Sequence, residues 1–267
     1  MPTGDTGQDR RIPTEAQRAA RELRRAERFA KRGRVNEAIA SLQQALQFGA
    51  DRYTCYLQLA RLYQAQGQWP EAVSAAEKAI AADPRQLSAR EAVIALYLEA
   101  RNYERAIAAS QELLKISPRH LPARDALGAA YIGVGDVDAA ARVTNELIRL
   151  EPNNAAHHFT KALLCQHRGE VRMAVEEFCR VLEMAEGTEL AACAREHLDA
   201  IDSFQLNQIL ALAMDDPLFR LRILQNPEQA IVERGFFLSE SGQQILHTLA
   251  AQELTELTTE CKTRLYH

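Results

Sequence analysis

Apolar and polar residues recur along this chain with the spacing of amphipathic helices, and the pattern itself repeats. When the sequence is shifted against itself by 34 residues, several positions fall into columns that keep their residue type. Glycine and proline stand at regular places between the apolar stripes, which predicts several short helices in succession. The pattern therefore predicts an all-α fold built from pairs of helices.

Each column has a residue type that suits one place in a pair of antiparallel helices. Glycine marks the turn where the first helix ends, and proline closes the unit. Alanine permits close contact between the two helices, and an aromatic ring fills the space between them. The columns are glycine at Gly33, Gly67, Gly135 and Gly169 with Arg101 in the third copy; alanine at Ala38, Ala72, Ala106, Ala140 and Ala174; aromatic at Phe29, Tyr63, Tyr97 and Tyr131 with Cys165 in the fifth copy; and proline at Pro84, Pro118 and Pro152.

These columns, clearest in the second copy as YLQLARLYQAQGQWPEAVSAAEKAIAADP, resemble the tetratricopeptide repeat. The resemblance implies a right-handed superhelix of about five tetratricopeptide repeats, which run from residue 19 to residue 188. An apolar face at residues 189–202 suits a helix that caps the stack. The expected organisation is a disordered tail at 1–13, a repeat domain with its capping helix at 14–203, and a small C-terminal helical bundle at 204–267.

The resemblance also implies that the first helices of the repeats line a concave groove that binds an extended or helical peptide. Chaperone-binding members of the family carry a carboxylate clamp of lysines and asparagines in this groove. This chain has Leu57, Glu91 and Asp125 where the lysines would help, so that ligand is not expected. An apolar strip edged by acids favours a helix or strand with basic residues. The expected groove residues are Leu57, Arg61, Gln64, Glu91, Asp125, Phe159 and Leu163.

The segment from Asp215 to Ser239, DDPLFRLRILQNPEQAIVERGFFLS, is punctuated differently from the repeats. Its Asp-Pro and Asn-Pro pairs predict two short helices, and Ser239 is typical of the cap of a final helix. The segment resembles helical leader segments of ribosomally made peptides, notably the nitrogen-fixation-associated and nitrile-hydratase-like families. It is also similar to a small helical subunit-type domain of aromatic-ring dioxygenase partners. As a helical module, it is expected to contact a partner through Phe219, Arg220 and Leu224.

Composition and motifs mainly exclude other classes of function. The chain is 47% hydrophobic and 25% charged and has no apolar run long enough to span a membrane, so we expect a cytoplasmic protein. It lacks a phosphate-binding glycine loop, a nucleophile elbow and a CxxC pair, and its five cysteines are widely spaced. His157, His158 and His167 lie near Cys165 without a convincing set of four metal ligands. We therefore expect no catalytic residue, no metal and no cofactor.

These observations predict a non-enzymatic scaffold or adaptor that binds a protein or peptide through the groove, the C-terminal module or both. One alternative is a leader-like substrate or carrier for a peptide-modifying enzyme. A second is an RNA-associated scaffold that uses the basic first helix. Nucleic acid is disfavoured by a net charge of −4 and by glutamates interleaved with the arginines of that helix. The arginines that an RNA would contact are Arg21, Arg24, Arg25 and Arg28. No pattern in the sequence indicates an oligomeric state.

Overall fold

The computed structural model describes residues 14–265, with side chains as far as residue 252, so the tail expected at residues 1–13 lies outside the described residues. All regular structure in the described range is α-helical, which confirms the predicted all-α class. The helices of the five repeats are α1 (Glu15–Lys31), α2 (Val35–Gln47), α3 (Arg52–Ala65), α4 (Trp69–Ala82), α5 (Ser88–Glu99), α6 (Tyr103–Ile116), α7 (Leu121–Val134), α8 (Val137–Leu150), α9 (Ala155–His167) and α10 (Val171–Met184). They are followed by α11 (Glu189–Asp215), α12 (Pro217–Gln225), α13 (Pro227–Glu233) and α14 (Glu240–Leu265).

The alanine column occupies the most tightly packed place in each repeat. All five of its alanines have 0% of their surface exposed. Protein interiors are close-packed, so a fully buried alanine leaves no room for a larger side chain without movement of a helix. The repeat register predicted from the sequence is therefore confirmed.

The glycine column adopts one backbone conformation throughout. Gly33, Gly67, Gly135 and Gly169 have φ values of 72°, 70°, 79° and 73°, in the left-handed region that ends a helix. Arg101 stands at the same place in the third repeat and also has a positive φ, of 55°. The turn geometry is thus kept even where the residue that suits it is absent.

The chain divides after Asp136 into two compact units. In the first unit, one apolar core joins α1 to α5 and a smaller one, around Ile94 and Leu113, joins α5 to α7. In the second unit, one core surrounds Phe178 and a second core surrounds Ile209 and Phe219. The core around Phe178 joins α9, α10 and the first half of α11, and the other joins the second half of α11 to α12, α13 and α14.

Helix α11 differs from the sequence prediction, which separated a capping helix at 189–202 from a C-terminal bundle at 204–267. The structure has a single helix of 27 residues from Glu189 to Asp215. No glycine or proline interrupts this stretch, and its buried residues belong to both cores of the second unit. The expected boundary between residues 203 and 204 lies inside this helix, and the division into domains there stays a prediction.

Two buried polar side chains of α11 hold the segment that precedes α14. Asp202 accepts hydrogen bonds from the backbone N–H of Ser239 (2.9 Å) and from the Ser239 hydroxyl. Gln205 accepts from the N–H of Phe237 and donates to its carbonyl, both at 2.8 Å. A Cβ at Gly242 would lie 2.6 Å from the Asp202 carboxyl carbon, so a side chain there would displace the contact. We call this set of contacts the α11 latch.

The local signals of the C-terminal module also act as the sequence predicts. Asp216 accepts hydrogen bonds from the N–H groups of Leu218 and Phe219, and so caps α12. Asn226 caps α13 in the same way, by accepting from Gln229. The Ser239 hydroxyl accepts from the N–H of Gly242 at 3.2 Å, within the first turn of α14.

Candidate functional site

The first helices of the first unit, α1, α3, α5 and α7, present a surface that we call the first-helix face. Hydrogen bonds between side chains connect neighbouring helices of this face. The hydroxyls of Tyr53 and Ser88 join α3 to α5 at 2.5 Å, and Gln64 donates to Glu99 at 2.7 Å between the same helices. These bonds fix the spacing of the helices on the side where the sequence predicts a binding groove.

Two of the predicted groove residues are already engaged within the molecule. Gln64 is held by Glu99, as above, and Glu91 lies 2.8 Å from Nε2 of His120. His120 caps α7, because its Nδ1 accepts the N–H of Ala123 at 3.2 Å. With Nδ1 acting as an acceptor, the neutral imidazole donates from Nε2 to Glu91. Glu91 therefore connects α5 to the start of α7.

The other predicted groove residues of the first unit have different exposure. Leu57 is half-buried, whereas Arg61 and Asp125 are exposed to solvent. Arg61 lines a cavity of about 420 Å³, which the sequence pattern did not predict. We call this space, which lies between α1 and α3, the α1–α3 cavity.

The α1–α3 cavity combines an apolar wall with two arginines. Leu23, Leu42 and Leu62 contribute to the wall, and Arg24 and Arg61 line the same space. Among the described residues, neither guanidinium forms an ion pair. The acidic lining residue is Glu27, which is bound to Lys31 at 2.7 Å. The cavity therefore offers two unmatched positive charges beside apolar surface.

Sequence reasoning placed these two arginines in different hypotheses. Arg24 was a candidate for RNA contact, and Arg61 was a candidate for the peptide groove. The structure brings them to one cavity. The sequence contained a sign of this proximity, because the two arginines are 37 residues apart. That separation is one repeat plus about one helical turn, so they lie on adjoining turns of neighbouring first helices.

The two predicted groove residues of the second unit are half-buried and pack against its core. The Phe159 ring meets the Phe178 ring edge-on, with centroids 5.6 Å apart, and lies 5.9 Å from the His197 ring. His197 itself stacks on Phe178 at 5.2 Å. Leu163 packs against the same core. Because α11 packs against both α9 and α10, Phe159 and Leu163 serve helix packing in this part of the chain.

A buried ionic cluster joins α9 to α10. Glu177 is 2.6 Å from Nδ1 of His158 and accepts hydrogen bonds from Lys161 (2.7 Å) and Arg180 (3.0 Å). The other ring nitrogen of His158 is 2.9 Å from the Pro152 carbonyl. Burial by itself raises the pKa of Glu177, but the hydrogen bonds from His158 and Lys161 and the nearby positive charges outweigh it, so the pKa lies below its usual value. The cluster is a structural cross-link between two helices.

The cysteine in the aromatic column is not an activated nucleophile. Burial, with a further contribution from Glu170, raises the pKa of Cys165 to about 11. A thiol with so high a pKa carries almost no thiolate at neutral pH. In the part of the chain that the structure describes, no group of three histidine, cysteine or acidic side chains is placed to hold a metal ion.

The three residues predicted for partner contact in the C-terminal module lie in different environments. Phe219 has 1% of its surface exposed, and the guanidinium of Arg234 lies 5.2 Å from its ring centre. Phe219 therefore stabilises the module and presents no surface to a partner. Arg220 is exposed and Leu224 is half-buried, and both line a cavity formed by α11, α12 and α14.

The repeat columns and helix pairs agree with an independent comparison of the sequence with family models. The tetratricopeptide repeat model matches residues 29–96 and again residues 97–164, about half of the chain. The chain belongs to the tetratricopeptide repeat family. It is thus one of the helical repeat proteins that serve as scaffolds for protein interaction, and tetratricopeptide scaffolds are generally not enzymes.

Solved structures with the same fold come from other tetratricopeptide repeat proteins. MamA from Desulfovibrio magneticus RS-1 is 19% identical with a TM-score of 0.57, and the match covers 64% of this chain and 97% of that one. YrrB, described as a TPR protein with an unusual peptide-binding site, is 17% identical with a TM-score of 0.53, and the match covers 67% of this chain and 92% of that one. At these identities the similarity shows the fold.

The search of curated proteins gave no significant match. None of the helices within the described residues has both the length and the apolar character needed to cross a membrane.

Proposed function

We propose that this tetratricopeptide repeat protein is an adaptor that binds a peptide segment of a partner protein on the first-helix face of its first unit. The observation that carries the proposal is the α1–α3 cavity, in which Arg24 and Arg61 lie beside an apolar wall and form no ion pair within the described residues. YrrB has the same fold and a peptide-binding site, which supports a peptide as the ligand class here.

The cavity indicates the chemistry of the peptide. Its volume of about 420 Å³ is enough for one or two large apolar side chains. The two guanidinium groups favour a carboxylate next to those side chains, because arginine binds carboxylates through paired, charge-assisted hydrogen bonds. The anchor is therefore an aspartate or glutamate adjacent to leucine or phenylalanine.

Further along the face the charge changes sign. Glu91 and Glu99 lie on α5. Glu99 is hydrogen-bonded to Gln64 and Glu91 to His120, so neither is bound to a lysine or an arginine in these contacts. A peptide that crosses from α1 to α5 thus meets positive charge first and negative charge afterwards. The proposed ligand therefore keeps the basic residues expected from the sequence, opposite α5, and adds an acidic anchor at the α1–α3 cavity.

Selection from a random peptide library displayed on phage tests the proposal with the full chain as bait. We expect enrichment of peptides in which an acidic residue lies within two positions of leucine or phenylalanine. Replacement of both cavity arginines, Arg24→Glu with Arg61→Glu, should weaken a selected peptide by more than roughly tenfold, because the attraction becomes repulsion.

A matched double variant controls for the change in net charge. Arg52→Glu with Arg85→Glu makes the same change at exposed sites that do not line the cavity, and it should leave binding within about twofold. Both variants should keep the helical circular dichroism of the parent. Peptides without an acidic anchor, or equal loss of binding in the two double variants, would contradict the proposed site.

A further inference from the structure

We propose that the C-terminal module contains a separate binding site for a medium-chain carboxylate, a site that the tetratricopeptide repeats do not provide. A cavity of about 360 Å³ opens between α11, α12 and α14. We call it the module cavity. It lies beside the apolar core around Ile209, whose side chain is one of its lining residues.

Most residues that line the module cavity are apolar, and its polar lining residues are Arg220 and Gln252. Leu210 and Met214 of α11, Leu224 of α12 and Leu249 of α14 are among its lining residues. Met214 has 78% of its surface exposed, so this lining residue is also accessible to solvent. Burial of a hydrocarbon chain against these apolar side chains would remove apolar surface from water, which is favourable.

The size of the cavity limits the ligand. At about 30 Å³ per non-hydrogen atom, the share of volume of one water molecule in the liquid, the space accommodates roughly 12 such atoms. An unbranched carboxylate of about ten carbons has this size. Ligand-binding pockets commonly have volumes of about 300–1,000 Å³ and are lined mostly by apolar side chains with a few polar groups. The module cavity has this arrangement.

Arg220 supplies the charge that selects an anion. The neighbouring arginines of the module are matched, since Arg222 binds Glu233 at 3.2 Å and Arg234 binds Asp216 at 2.7 Å. Among residues 14–252, the Arg220 guanidinium has no ion-pair partner, and no acidic side chain lines the cavity. A guanidinium beside an apolar cavity suits a carboxylate head group with an alkyl chain.

The arrangement favours a small amphiphile over a partner helix. A helix that docks needs an elongated groove with apolar positions one turn apart. Here the walls converge from three helices on one local space, and the exposed leucines of α12, Leu218 and Leu221, do not line it. The site therefore takes one alkyl chain with its head group at Arg220.

Titration calorimetry of the full chain with decanoate tests this inference. Decanoate should bind, and decanol, which has the same chain without the charge, should bind at least tenfold more weakly. Arg220→Gln should weaken decanoate by roughly 10- to 100-fold, the loss expected for a hydrogen bond to a charged group. Arg222→Gln is the matched control on the same helix, and it should leave decanoate affinity within about twofold.

A second pair of variants locates the alkyl chain. Ala213→Phe fills the module cavity and should abolish binding of both compounds. If that variant loses its helical signal, Met214→Trp blocks the space from an exposed position and should do the same. Absence of decanoate binding, equal affinity for decanol, or binding that persists in the folded Arg220→Gln and cavity-filling variants would overturn the proposal.

Discussion

At the scale of single residues, the third repeat keeps a turn for which its residue is poorly suited. Arg101 has a φ of 55°, and it is the one positive-φ residue other than glycine in the part of the chain that the structure describes. An L-residue in this conformation brings its Cβ close to backbone, at a cost of roughly 1–2 kcal/mol. The repeat therefore carries local strain that the other four avoid with glycine.

Arg101→Gly should stabilise the protein. Glycine removes the strain, but its greater freedom in the unfolded chain lowers the stability by about 0.5–1 kcal/mol. The free energy of unfolding should therefore rise by a net amount on the order of 0.5–1 kcal/mol. Urea unfolding followed by circular dichroism measures this change. Gly67→Ala is the reverse control. A Cβ there would meet no atom within 4 Å, so its expected loss of stability comes from the backbone alone.

At the scale of helix pairs, the fifth repeat is joined by charge as well as by apolar packing. Glu177 is buried with 4% of its surface exposed and receives hydrogen bonds from two basic residues, Lys161 and Arg180, in addition to its contact with His158. Breaking a buried charge contact is costly, because the remaining groups lose their partner in a poorly solvated place. The pair α9 and α10 therefore depends on the ionisation of one carboxylate.

Stability should fall in acid through this carboxylate. The pKa of Glu177 is lower in the folded protein than in the unfolded chain, so its contribution is complete above the unfolded pKa and is lost as pH falls through the folded one. We expect the free energy of unfolding, measured by urea titration from pH 7 to pH 3, to decline more steeply in the parent than in Glu177→Gln.

The neighbouring glutamate provides the control for this prediction. Glu177→Gln should also cost about 1.5–3 kcal/mol at neutral pH, the range for a hydrogen bond to a charged group. Glu176→Gln removes an exposed ion pair with Arg172 and should change stability by less than about 0.5 kcal/mol. Parallel pH profiles for the parent and Glu177→Gln would show that the buried cluster does not set the acid response.

At the scale of the whole molecule, the second unit contains two cores that share one helix. The first half of α11 packs with α9 and α10, and its second half packs with α12, α13 and α14. The α11 latch ties residues 237–239 to the middle of the same helix. The C-terminal segment is thus held by apolar burial and by hydrogen bonds to a helix that the repeats also use.

Limited proteolysis should spare the segment from Asp215 to Ser239 in the parent protein. Cleavage requires local opening, and the buried side chains and latch contacts of this segment oppose it. The double variant Asp202→Ala with Gln205→Ala removes the latch and should make the bonds near Phe237 sensitive to chymotrypsin. Rapid cutting of the parent within the segment would instead favour the leader-like hypothesis, which stays a prediction.

The sequence by itself determined the repeat architecture. The alanine, glycine and aromatic columns specify helix contact, turn and filling, and these are local or short-range effects that recur with the period of 34 residues. Capping signals such as Asp216 and Asn226 likewise act within a few residues, so α12 and α13 could be placed from the sequence. Arg101 keeps the positive φ of the glycine column although its residue type opposes it, and this came from the structure.

Tertiary structure decided which side chains remain available to a ligand. Phe159 and Phe219 belong to apolar classes that suit either a core or a binding surface. Only the packing of α11 and of the module shows that Phe219 is buried and that Phe159 is half-buried against Phe178 and His197. The sequence had already singled out Arg24, Arg61 and Arg220, and the structure shows that nearby acids are bound to other bases. Such pairing depends on distances between helices that are far apart in the chain, and helical periodicity fixes the face of a residue without fixing its partner.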